Sequence, residues 1–147
     1  MSKKMKITAL ILTIIVFTTT MGFSSSDSEE DIVEELITER INAMDLYYAS
    51  QINDFEAKER LRAVENGTLL DEDIDNLHTY FRTDIEEIKE FDFQDIEITS
   101  SDEDVICAQV KLGWNIEGTD GKEILSCSYS VICENDGSGF KLVQFYG

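Results

Sequence analysis

The chain of 147 residues carries 31 acidic and 12 basic side chains, a net charge of −19. Three of the basic residues, Lys3, Lys4 and Lys6, lie in the first 23, where there is no acid, so residues 24–147 carry 9 basic against 31 acidic groups, a net of −22. Such a surface repels a phosphate backbone and anionic headgroups, which argues against nucleic acid as a partner and leaves two readings, solubility or a basic partner. An aromatic content of 10% argues against a disordered acidic tail. A chain of this length buries about two-thirds of its unfolded surface, so it needs neither disulfide nor metal to fold, and no motif in it calls for a cofactor.

The N-terminus has three zones. Lys3, Lys4 and Lys6 make a basic start, Ile7–Phe17 is an apolar run broken by Thr8 and Thr13, and small residues follow through Ser26. This is the order of a secretory signal peptide, with Thr20-Met21-Gly22 or Ser24-Ser25-Ser26 as weak cleavage sites. The alternative is an uncleaved membrane anchor over residues 7–23, about 26 Å of helix at 1.5 Å per residue, against a hydrocarbon core of about 30 Å. Both readings place the rest of the chain outside the cytoplasm, secreted or anchored. The expected layout is a leader at residues 1–23, a polar linker at 24–28 and one α+β domain at 29–147.

Ser28 followed by Glu29, Glu30 and Asp31 is a helix start, with a serine cap and acids at the positive end of the dipole. Ile32, Val33, Leu36, Ile37, Ile41, Met44, Tyr47 and Tyr48 then recur at spacings of three and four, which predicts a helix over about 29–50. Tyr47 and Tyr48 are candidates to line a pocket and are otherwise core tyrosines with the hydroxyl at the rim. Asn53-Asp54 begins a second helix, Phe55 to Glu65, with Phe55, Leu61 and Val64 as its apolar side and Asn66-Gly67 as its end. A third helix is expected from Asp71 or Asp73 to about Lys89, with a stripe of Ile74, Leu77, Phe81, Ile85 and Ile88. The alternation of Asp71, Asp73 and Asp75 resembles the start of a calcium loop, but Asn76 and Arg82 stand where such a loop needs glycine and glutamate. No metal is expected there. His78, the sole histidine, is a candidate acid–base or pocket residue beside an acid, and is otherwise a surface residue.

The strand half begins at Phe91–Ile98, whose alternation slips phase between Phe93 and Ile96. An extra residue at Gln94-Asp95 repairs it, as a bulge or a helix-to-strand bend does. Val105–Ile116 and Ile124–Cys133 form a long hairpin turning through Gly118–Gly121, and Phe140–Tyr146 closes the chain. Burial of Val110, Leu112 and Trp114 on one face requires Leu112 opposite Cys127, because a one-residue slip would set the apolar residues against Ser126, Ser128 and Ser130. That register leaves Cys107, Cys127 and Cys133 as free thiols, with Cys107–Cys133 as the disulfide of the slipped alternative. The fold class is therefore α+β, with N-terminal helices packed on a curved antiparallel sheet of about four strands.

Helices followed by a bent four-stranded sheet with the long Trp-bearing hairpin Val105–Ile116 and Ile124–Cys133 resemble the NTF2-like (cystatin-like α+β) superfamily. That resemblance implies a cone between helices and sheet, whose mouth holds a ligand or serves as an interaction surface. Its enzymes use Asp–His or Tyr–Asp arrangements, and no such pair maps onto these residues. The basic leader, apolar segment and outer domain also resemble the plan of VirB8-like secretion components. The expected function is a non-enzymatic, acidic, extracytoplasmic domain that mediates protein–protein interaction at the cell envelope, its partner an envelope protein of basic character. The alternatives are a small-ligand or enzymatic cone lined by Tyr47, Tyr48, His78 and Trp114, or an acidic inhibitor or immunity-type protein.

Overall fold

The computed structural model describes residues 28–80, 87–118 and 120–147, with side chains for all of these except 80, 87–89 and 118. The leader at residues 1–23 lies outside the described residues. Among the described residues no helix is long and apolar enough to cross a membrane.

Among the described residues three helices come first. Helix α1, Glu29–Tyr48, opens on a reciprocal cap, in which the Asp31 amide donates to Ser28 Oγ at 3.2 Å and the Ser28 amide donates to Asp31 Oδ2 at 3.3 Å. Its inner face buries Val33, Leu36, Ile37, Ile41, Ala43 and Tyr47. Helix α2, Asp54–Val64, has the same device, with Asn53 and Glu56 exchanging bonds at 2.9 and 3.2 Å. Its buried side is Ala57, Leu61 and Val64. Phe55, expected on that side, is 70% exposed. It lies two residues before Ala57, about 200° around the helix, so the side that buries Ala57 turns Phe55 outward.

Helix α3, Gly67–Tyr80, starts earlier and ends sooner than the periodicity predicts. Gly67 both ends the turn after α2 and begins α3, with a φ of 65° that disfavours a side chain. The inner face is Leu69, Asp73 and Leu77; Leu77 is buried as the stripe predicts, while Asp73 takes the inward place expected of Ile74, which is only half-buried. Residues 87–89, predicted to end this helix, begin the first strand instead. The predicted stripe positions Phe81 and Ile85 lie outside the described residues.

The sheet has four antiparallel strands in sequence order: β1 Glu87–Ser101, β2 Val105–Gly118, β3 Gly121–Asn135 and β4 Phe140–Tyr146. β2 and β3 pair without interruption, and Leu112 faces Cys127 as burial requires. β1 carries the expected bulge between Phe93 and Asp95, and two more, between Ile88 and Glu90 and between Ile98 and Ser100. The first of these keeps both halves of the strand in phase, so that Phe91, Phe93, Ile96 and Ile98 pair with Trp114, Leu112, Val110 and Ala108. β4 repeats the device at Val143, which lets Leu142 pair with Cys133 and Phe145 with Val131 on one face.

The main core lies between α1 and the sheet. Val33, Leu36, Ile37 and Ile41 pack with Ile106, Ala108, Val110, Leu112, Val131, Cys133 and Leu142. Each fully buried valine, leucine or isoleucine among them contributes about 1.5–3 kcal/mol of transfer free energy. A second cluster joins the helices through Ala43, Tyr47, Ala57, Leu61 and Leu77.

Candidate functional site

The pairing of β3 defines the most distinctive surface. β3 has 15 residues and β4 has seven, and β4 pairs only with Ser130–Asn135. The Asn135 amide donates to Asp104 O at 2.8 Å, toward the β2 side. In an antiparallel strand, backbone groups alternate in direction. Odd-numbered residues of β3 therefore serve β2, and even-numbered ones point the other way. Among the described residues, no strand pairs with that outer side from Gly121 to Tyr129. Lys122, Ile124 and Ser126 thus aim their backbone groups at an open edge, while the Ser128 carbonyl lies close to the C-terminal Gly147. Ile124 stands there 82% exposed.

An aromatic belt crosses the inner face of the sheet beside this edge. Phe93, Phe91, Trp114, Tyr129 and Phe145 follow one another with ring centroids 6.0, 5.9, 6.4 and 4.5 Å apart, one or two rings from each strand. All five are half-buried. Trp114 Nε1 donates to Tyr129 Oη at 3.0 Å. Burial holds the Tyr129 hydroxyl above its ordinary pKa, although the Trp114 bond works against the shift, and nearby Cys127 adds to it.

The belt ends on a charged cluster that the sequence reading missed. The Arg40 guanidinium lies 4.6 Å from the Phe145 ring centroid. Its Nε donates to Glu65 Oε1 at 2.8 Å and to Asp73 Oδ2 at 2.7 Å, while Nη2 reaches Asp73 Oδ1 at 3.0 Å. The side chains of Arg40, Glu65 and Asp73 are 14%, 0% and 4% exposed. Burial, then the neighbouring Asp73, push the Glu65 carboxyl up to about 9, against the pull of Arg40. Burial opposes the Arg40 charge, but the two acids outweigh it and raise its pKa. The sequence offered a partial signal: Asp73 falls four residues from both Leu69 and Leu77, on one helix face.

The four residues expected to line a cone fall in three places. Tyr47 and Tyr48 meet edge to face at 5.7 Å in the interhelical cluster, where Tyr47 is buried and Tyr48 Oη donates to Asn76 O at 3.3 Å. His78 is on the surface, its side chain 56% exposed, with Nε2 3.5 Å from Asp54 Oδ1. Trp114 belongs to the aromatic belt. The structure does bring a histidine beside an acid, but at the surface between α2 and α3, apart from the tyrosine cluster and the belt.

Cys107, Cys127 and Cys133 are free thiols. Cys107 pairs with Ile132 and Cys133 with Ile106, so the alternative Cys107–Cys133 bridge belongs to a register the sheet does not adopt. Among the described residues no group of three or more His, Cys, Asp or Glu side chains is arranged to hold a metal ion.

Three helices on a four-stranded antiparallel sheet in sequence order define an α+β fold. No protein-family model and no curated protein matches the sequence. The fold is similar to that of the crystal structure of the intermembrane space region of the chloroplast protein ARC6, with a TM-score of 0.52 at 12% identity over 82% of this chain and 96% of that one. The solution structure of a de novo β-sheet design gives a TM-score of 0.43 at 18% identity over 80% of this chain and 88% of that one, too loose to define a shared fold.

Proposed function

We propose that the chain is a non-enzymatic, acidic domain outside the cytoplasm that binds another envelope protein, by accepting an extended segment along the outer edge of β3. The observation that carries this reading is the run of β3 from Gly121 to Cys127, which is open among the described residues. An exposed row of backbone donors and acceptors is a template for a further strand. The charge of −22 on residues 24–147 selects a basic segment over an acidic one and speeds its approach at low salt. The basic, apolar leader supports a place outside the cytoplasm, secreted or anchored. The similar fold of a domain from an intermembrane space is consistent with that place.

The test uses the full chain, tagged at its C-terminus, recovered gently from its host envelope and examined by native mass spectrometry beside the Ser126→Pro variant. Ser126 is an outward-facing position, so proline there removes an edge N–H without removing one from the β2 ladder. A stoichiometric protein that is retained by the wild type and lost by the variant supports the reading. A small molecule in its place, a bare monomer, or a partner indifferent to Ser126→Pro overturns it.

A further inference from the structure

Glu65, Asp73 and Arg40 come from three elements and meet where β4 is seated. Glu65 caps the end of α2, and its backbone bridges Leu142 of β4. The Asn66 amide donates to Leu142 O at 2.9 Å. Arg40 of α1 stacks on Phe145 of the same strand. Asp73 of α3 takes two of the guanidinium's N–H bonds. The cluster therefore joins all three helical segments to the last strand.

The charges in it do not balance. One guanidinium faces two carboxyl groups, both almost fully buried. Among the described residues, Glu65 Oε1 shares the Arg40 Nε–H with Asp73, and Glu65 Oε2 is buried with no hydrogen-bond partner. A bare oxygen of an ionised carboxylate in such a place is strongly disfavoured, and protonation removes that penalty. The remaining groups that face the cluster are few. From β3, Tyr129 lies stacked on Phe145 at 4.5 Å, and the Arg40 charge acts on its hydroxyl. From β4 come the Phe145 ring and the Leu142 backbone, neither of them titratable.

We propose that Glu65 and Asp73 hold one proton between them, and that this proton is part of the clamp that seats β4 on the helices. The proton resides on Glu65, since Asp73 is the group gripped by the guanidinium. The folded chain then carries one proton that the unfolded chain has lost. Glu65 rises from an ordinary value of 4.5 to about 9 on folding. A raised carboxyl contributes stability that is complete below its unfolded value and is lost as pH climbs through the folded one. The domain accordingly keeps its last strand more firmly in acid than in alkali. This goes beyond the binding reading and is independent of it.

The test is the unfolding equilibrium of the full chain in urea between pH 6 and 7.5, where ordinary carboxylates no longer titrate and free thiols do not yet do so. For wild type the unfolding constant rises about tenfold per pH unit, the slope of one proton. Glu65→Gln, which keeps shape and hydrogen bonding but holds no titrating proton, removes that slope. Glu59→Gln, on the surface beside Arg62, keeps it. Carbon NMR of the wild-type Glu65 carboxyl gives a second readout should Glu65→Gln not fold, and shows a protonated group at pH 7. A wild type with no slope, a slope unchanged in Glu65→Gln, or a Glu65 carboxyl that ionises in the ordinary carboxylate range would each overturn the proposal.

Discussion

Trp114 Nε1 donates to Tyr129 Oη at 3.0 Å, across β2 and β3 and at the centre of a belt of rings that touches all four strands. The bond fixes the edge-to-face packing of the two rings, 6.4 Å apart and 77° between planes. Tyr129→Phe keeps the stacking but strands the indole N–H in a half-buried place. The expected cost is about 1–2 kcal/mol. Trp114 is the only tryptophan, so its emission reports on the same site. An unchanged urea midpoint together with unchanged emission would show that water replaces the hydroxyl at no cost.

Gly67 separates α2 from α3 with a φ of 65°, and a Cβ placed there meets nothing within 4 Å. Any penalty for substitution is thus conformational and not steric. Gly67→Ala is expected to lose about 1–2 kcal/mol, the cost of holding an L-residue in the left-handed region. Asparagine tolerates that region better, so Gly67→Asn should lose less. Equal losses for alanine and asparagine, measured by chemical unfolding, would mean that the turn relaxes to another backbone.

Cys133 is fully buried, and burial, then Cys107, push its thiol up to about 12. A thiol of that kind is neither accessible nor ionised near neutral pH, so it does not attack alkylating reagents. Cys107 and Cys127 are half-buried and keep some exposure. Brief alkylation of the native chain followed by peptide mapping should label these two and leave Cys133 untouched until the chain is unfolded. Native labelling of Cys133 as fast as Cys127 would contradict its burial between α1 and the sheet.

The sheet was largely legible in the sequence because its period is two and one face is buried. A slip of one residue at Leu112 and Cys127 would have set serines against the apolar face, and nothing local compensates for that. The phase break at Gln94-Asp95 was legible for the same reason. The bulge at Val143 was equally present, as the change from Phe140 and Leu142 to Phe145, but a seven-residue strand shows it weakly. Helix α3 was misread at both ends. Asp71 and Asp73 have the chemistry of a helix cap, and only tertiary contacts turn Asp73 into a core residue facing Arg40. Nothing in the spacing of Arg40, Glu65 and Asp73, 25 and 33 residues apart, announces that they meet. The open edge was hidden likewise, since it arises from the unequal lengths of β3 and β4 in the folded pairing.

Arg40 is where the helices and β4 are tied together, so its replacements separate charge from shape. Arg40→Ala leaves two buried carboxyl groups without a cation, and removing one partner of a buried ion pair costs about 3–5 kcal/mol. A domain of this kind has a total stability of about 5–15 kcal/mol, so the variant should be near the edge of folding. Arg40→Lys keeps the charge but loses the planar fork on Asp73 and the stacking on Phe145, and it should recover only part of the loss. The triple variant Arg40→Met, Glu65→Gln, Asp73→Asn removes every formal charge at once. If the cost of Arg40→Ala is mainly the uncompensated burial of acids, the triple variant should be more stable than Arg40→Ala alone. Urea unfolding at pH 6 decides between the two accounts. A triple variant no better than Arg40→Ala would assign the loss to missing contacts with Phe145 and not to charge.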